Sequence, residues 1–92
     1  HVLLIKLELR IPEAHSLKDK RKQIKSLKDR LISRFNASIA EVDAMDNHKH
    51  AVIGLCMLSG DKTYLEKQYS LIETMVLECT ELQLLDITRE WL

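Results

Sequence analysis

Residues 2–11 alternate, with Leu3, Ile5, Leu7, Leu9 and Ile11 on one side and Lys6, Glu8 and Arg10 on the other. A period of two over that length predicts a β-strand with one buried face. Pro12 has no N–H to give to a ladder and ends it. After a short loop the period changes. Leu17, Ile24, Leu27, Leu31 and Phe35 recur at helical spacing and share an arc of about 80° on a helical wheel. Ser16 stands where an N-cap belongs, and Asp19 three residues on is placed to reach back to it. Asn36 suits the left-handed residue that closes a helix. The pattern predicts a helix over 17–35.

Residues 37–44 are short, small and partly β-branched, which predicts an edge strand. Residues 45–50 are a polar connection. Residues 51–59 are almost wholly apolar, as in a central strand covered on both faces, and Gly54 within them marks a bulge or a close backbone approach. Asp61 is the N-cap of a second helix over 62–79, carried by Leu65, Tyr69, Ile72, Met75, Val76 and Cys79. In 82–91, Leu85, Ile87 and Trp91 alternate with Asp86, Thr88 and Glu90, predicting a last strand. The order βαββαβ with right-handed crossovers gives an α+β ferredoxin-like sandwich. Its four-stranded antiparallel sheet has the order 4-1-3-2, with two helices on one face. Residues 1–92 form one such domain, with no linker.

Composition narrows the chemistry. The chain has two Gly and one Pro, too few for a phosphate loop or a dinucleotide fingerprint. The apolar stretch from Val2 is broken by Lys6, Glu8 and Arg10, so it predicts neither a signal peptide nor a spanning helix, and a cytoplasmic location is expected. The chain opens on His1 rather than Met, so preceding residues are expected to have been cleaved, removed or to lie outside the described chain. Cys56 and Cys79 form no CxxC, and two buried, reduced thiols are the expected state.

The net charge of zero conceals a segregation: residues 1–36 carry ten basic and four acidic side chains, and residues 37–92 carry four basic and ten acidic. Such asymmetry points to an electrostatic partner. Lys18, Arg21, Lys22, Lys25 and Lys28 occupy about 120° of the first helix beside its apolar arc, where like charges repel one another unless an anion binds. These five are the candidate phosphate contacts of an RNA-binding surface. A solvated face balanced by the acidic half, or head-to-tail self-association through the opposite charges, explains the same pattern. Only four aromatic residues are present and none falls on the helix-free face of the first strand, so base stacking on the sheet is not expected.

Other sites are weaker. Asp43, Asp46, His48 and His50 fall within eight residues and include two metal-ligand types, but loops favour these residues anyway, and no metal or cofactor is assigned. His15 beside the cap is a loop residue or a phosphate contact. No nucleophile, base and orienting group stand at motif spacing. The acylphosphatase loop would need glycine where Pro12-Glu13-Ala14-His15 stands, so a non-enzymatic protein is expected. The third strand is apolar on both faces and the helices cover one of them. The other, with Val2 and Leu4, leaves an apolar patch that a two-fold homodimer would bury. A homodimeric protein-interaction or small-molecule-sensing module is therefore the alternative to RNA or ribosome association.

The segments Glu8-Leu9-Arg10-Ile11-Pro12, Ser16-Leu17-Lys18-Asp19-Lys20-Arg21, Ser26-Leu27-Lys28-Asp29-Arg30-Leu31, Phe35-Asn36 and Glu41-Val42-Asp43 resemble the small bacterial YlxP-like family of unknown function, over essentially the whole chain. The resemblance implies a ferredoxin-like fold. It also implies, through genes that often neighbour those for translation initiation factor two and ribosome-binding factor A, a role near ribosome assembly or translation. It carries over no catalytic residue or cofactor. Relatives often place an aromatic and an Arg in the hairpin, where this chain has Asn47-His48-Lys49-His50.

Overall fold

A computed structural model describes residues 1–92. The elements are β1 (Val2–Arg10), α1 (Leu17–Arg34), β2 (Ser38–Asp43), β3 (His50–Leu58), α2 (Lys62–Leu77) and β4 (Gln83–Trp91). The antiparallel sheet runs β2-β3-β1-β4, the predicted order read from the other edge. The alternation in β1 becomes burial: Leu3, Ile5, Leu7 and Leu9 are fully buried on the helix-covered face. Opposite them in register stand Met57, Leu55, Ile53 and Ala51 of β3. Ile24, Leu27 and Leu31 of α1 and Leu65, Ile72 and Val76 of α2 close the core from above. Full burial of a side chain of this size is worth about 1.5–3 kcal/mol, so this one layer holds the fold.

Local chemistry sets the boundaries. The Asp19 N–H donates to Ser16 Oγ at 3.1 Å, as an N-cap requires. The Asp19 carboxylate, however, accepts from the N–H of His15 at 3.0 Å rather than from that of Ser16, so the reciprocal bond falls one residue upstream. At the other end Phe35, not Asn36, caps α1. Its backbone is extended and its N–H donates to Leu31 O, and its buried ring ties the exit to the core. The one non-glycine residue with positive φ is Ala44, at 58°. Asp61 caps α2 as expected, accepting from the Tyr64 N–H at 3.3 Å.

Two bulges correct the simple alternation. In β4 the register with β1 shifts between Glu8 and Leu9, which pair with Asp86 and Leu84. Leu84 thus takes the inward place and Leu85, expected inside, is exposed. In β2 the register shifts between Glu41 and Asp43, and the displaced Val42 lies over Gly54 of β3. A Cβ at Gly54 would sit 3.1 Å from Val42 Cγ1, which identifies Gly54 as a close approach rather than a bulge. Val42 is partly exposed and has room to turn away. Gly54→Ala is therefore expected to change stability by less than about 1 kcal/mol, whereas Gly54→Leu overfills the contact and costs about 1–3 kcal/mol. Thermal melts of the two variants check this.

Candidate nucleic-acid interface

The first helix spends its cations in different ways. Lys18, Arg21 and Lys22 are exposed and Lys28 is half-buried. The ion pairs of the molecule are Lys20–Glu41, Lys25–Asp29 and His50–Glu8, so these four cations face no carboxylate of their own chain. Lys25 does. Its Nζ donates to Asp29 Oδ2 at 2.9 Å, one helical turn on, and that hydrogen bond, followed by the charge of Asp29, holds its pKa above the ordinary 10.5. The pair's contribution is therefore present at neutral pH and fades only as pH rises through the raised value. Both partners are well exposed, so Asp29→Asn is expected to leave the melting temperature unchanged at pH 7 while freeing Lys25 for an anion. Differential scanning calorimetry checks the first half of that expectation.

Four cations outside this group are occupied. The Arg30 Nη1 donates to Cys79 Sγ at 3.2 Å. The Lys49 Nζ donates to Pro12 O at 2.7 Å. Lys62 lies 4.9 Å from the Trp91 ring centroid and Arg89 lies 5.0 Å from that of Tyr69. Lys6, Arg10, Arg34 and Lys67 also face no carboxylate, so what sets the exposed ridge Lys18–Arg21–Lys22 apart is that three unpaired cations fall within five residues of one helix. It also lies in the first turns of α1, where the helix dipole is already positive and disfavours cations.

Lys20 is the residue to which sequence reasoning gave no place. Outside the five-residue basic flank, it is only 2% exposed. Its Nζ donates to Ala44 O and Asn47 O, each at 2.8 Å, and lies 2.6 Å from Glu41 Oε2. Glu41 Oε2 is itself buried and has no other partner. The signal was in the wheel: position 20 falls inside the apolar arc, four residues before Ile24 and seven before Leu27. Helical side chains lean toward the N-terminus, and here that direction carries the ammonium to the β2–β3 hairpin (residues 44–49).

The four hairpin candidates for a metal are not gathered into one cluster. Asp43 Oδ1 accepts the N–H of Ala44 at 2.7 Å, and His50 Nε2 lies 3.2 Å from Glu8 Oε1 on the open sheet face. No three His, Cys, Asp or Glu side chains converge anywhere on the molecule. The cysteines are both free, with Cys79 buried and Cys56 half-buried on the open face, a correction to the expectation that both are buried.

The open face has the two-part character that the apolar third strand implied. Val2, Leu4, Val52 and Cys56 are half-buried with no helix above them, and Leu58 is 75% exposed. Lys6, Glu8, Arg10, Asp86 and Glu90 make the other half polar. A feature not foreseen is a groove of about 580 Å³ between the end of α1 and α2, lined by Phe35, Tyr64, Leu71 and Met75 with Arg34 and Glu78 at its rim. It lies about 20 Å along α1 from the basic ridge. No helix is long and apolar enough to cross a membrane.

Comparison with known proteins places this arrangement. Residues 2–89 match the model of a family described as a protein of unknown function, DUF503. The chain is also similar to the uncharacterized protein YlxP of Bacillus subtilis, 27% identical over 81 residues that cover 88% of each chain.

Proposed function

We propose, on the premise that the chain belongs to the DUF503 family of proteins of unknown function, that it is a non-enzymatic RNA-binding protein. It acts in the cytoplasm, in ribosome maturation or translation. It holds the phosphate backbone through Lys18, Arg21, Lys22 and Lys28, with Lys25 joining once its bond to Asp29 opens. The observation that carries the reading is the set of cations on α1 that no carboxylate of the chain neutralises, with Lys18 in the first turn, where the helix dipole adds to its field. A bound phosphate relieves both their mutual repulsion and that of the dipole. The open sheet face carries no Phe, Tyr or Trp side chain, so recognition is by backbone and shape rather than by stacking.

Titration of a labelled structured RNA at a series of salt concentrations tests this. Four or five phosphate contacts give a log–log slope of roughly −3 to −4.5. A slope near zero, or no binding at low salt, removes the reading. Sedimentation of lysate on sucrose gradients at low and moderate salt then asks whether the protein travels with small ribosomal subunits.

A second reading rests on the uncovered apolar half of the open face, and above all on Leu58. Two copies packed through that face would bury it, forming a homodimeric interaction or ligand-sensing module. Sedimentation equilibrium is then expected to give twice the 10.7 kDa chain mass, and Leu58→Asp to return the monomer. A monomer at tens of micromolar protein excludes it.

A further inference from the structure

We propose that the outer seam of α2 is a self-association surface, on which two copies of this chain pair antiparallel about a two-fold axis at Leu71. This stands independently of the RNA reading of α1.

α2 carries two seams side by side. Leu65, Tyr69, Ile72, Val76 and Cys79 form the first, which is spent on the protein's own core. Tyr64, Gln68, Leu71, Met75 and Glu78 form the second, each one position earlier in the chain. Its steps of four, three, four and three residues are those of a helix that packs along another helix. All five line the groove of about 580 Å³ that opens between α2 and the end of α1. The floor of that groove is finished, since Phe35 and Met75 are buried. The rest of the seam is not. Tyr64 is 43% exposed and Leu71 is 54% exposed, so its apolar centre stands in water beside a ready socket. Laying a helix in such a groove is an established mode of recognition.

Charge selects a second copy, and its direction. Lys67 and Glu78 lie on the flank of this seam that faces away from the core seam, about 20° apart around the helix. Neither joins an ion pair within its own chain. A parallel copy would set Lys67 against Lys67 and Glu78 against Glu78. An antiparallel copy centred on Leu71 instead sets Lys67 of one chain within a helical turn of Glu78 of the other. It also brings Tyr64 level with that Glu78, where the phenol O–H donates to the carboxylate. Gln68 then lies level with Met75, and Leu71 meets Leu71 on the axis. One patch that satisfies itself in this way is what a two-fold contact requires. The seam is short, about 21 Å from Tyr64 to Glu78. So small a contact makes a weak pair, half-formed on the order of 100 µM protein.

Sedimentation velocity over about 10–500 µM protein tests this. The average mass is expected to rise toward twice the 10.7 kDa chain mass. Leu71→Glu changes an exposed side chain, so it is expected to keep the wild-type melting temperature while weakening the dimer at least about tenfold. Lys67→Glu is expected to weaken it about threefold, and adding Glu78→Lys to restore it. Leu58→Asp, which opposes pairing through the open sheet face, is expected to leave it unchanged. A chain that stays monomeric throughout overturns the proposal. So does a dimer that survives Leu71→Glu, and one lost in Leu58→Asp as well assigns self-association to the sheet. A dimer weakened by Leu71→Glu but not restored by the charge exchange overturns the antiparallel arrangement. None of these outcomes touches the phosphate ridge, which the salt titration decides.

Discussion

Replacing Lys20 alone by methionine is expected to be the most damaging single neutralisation among the cations of α1, lowering stability by about 3 kcal/mol. The substitution keeps the length and apolar stem of the side chain, so it creates no cavity. It removes the ammonium from the carbonyls of Ala44 and Asn47 and from Glu41. Glu41 Oε2, which has no other partner, then remains as a buried, uncompensated charge. The Glu41 side chain keeps about a quarter of its surface in water, which places the cost at the low end of the usual 3–5 kcal/mol for a broken buried pair. For a domain of this size about 1 kcal/mol corresponds to 4–8 °C, so a fall of roughly 12–24 °C is expected in a thermal melt. Replacing Glu41 by leucine in the same molecule removes the orphaned charge and is expected to recover most of the loss, since apolar pairs substitute well for buried ion pairs. A Lys20→Met protein that melts with the wild type would mean that Lys20 is solvated like its neighbours.

The triple replacement Lys18→Glu, Arg21→Glu, Lys22→Glu is expected to separate binding from folding. Each phosphate contact contributes about 0.7–0.9 to the log–log salt slope, so losing three flattens it by about 2–2.7. Between 1 M and 0.1 M salt that difference amounts to roughly 100–500-fold in affinity, and reversed charges repel phosphate further. The three side chains are exposed and unpaired, so the fold loses no contact. Acidic residues also suit the start of a helix better than basic ones, and the melting temperature is expected to hold or rise slightly. Loss of binding together with loss of stability would point to misfolding. Unchanged binding in a stable triple variant would retire the phosphate role of the ridge.

These two lysine-rich predictions differ because neighbouring lysines on one helix met different surroundings, and only part of that was legible beforehand. Wheel geometry separated Lys18, Arg21, Lys22, Lys25 and Lys28 from the apolar arc. Composition could not say which of them found a carboxylate. Lys25 did, because Asp29 lies one turn on. Lys20 fell outside that flank and received no role, because a lysine is seldom expected in a core. Its phase in the wheel said otherwise, but the oxygens that make burial tolerable come from residues 24 and 27 positions away in the chain and from an edge-strand glutamate.

The fold shows the same division. Strand periods, the caps Ser16 and Asp61 and the run of apolar residues in β3 are properties of neighbouring residues, so they determined the six elements and their order. The bulges were decided elsewhere. Leu84 rather than Leu85 turns inward because β4 must match the register of β1, and Val42 leaves the ladder over a glycine on the adjacent strand. Local sequence by itself determined the βαββαβ architecture, the buried faces of β1 and of both helices and the existence of a basic helix flank, because each follows from short-range periodicity and charge. Only the tertiary structure decided which cation goes inside, how the hairpin is fastened to α1 and which charges remain without a partner. Those outcomes depend on atoms brought together from distant parts of the chain, and spacing along the sequence carries no record of such distances.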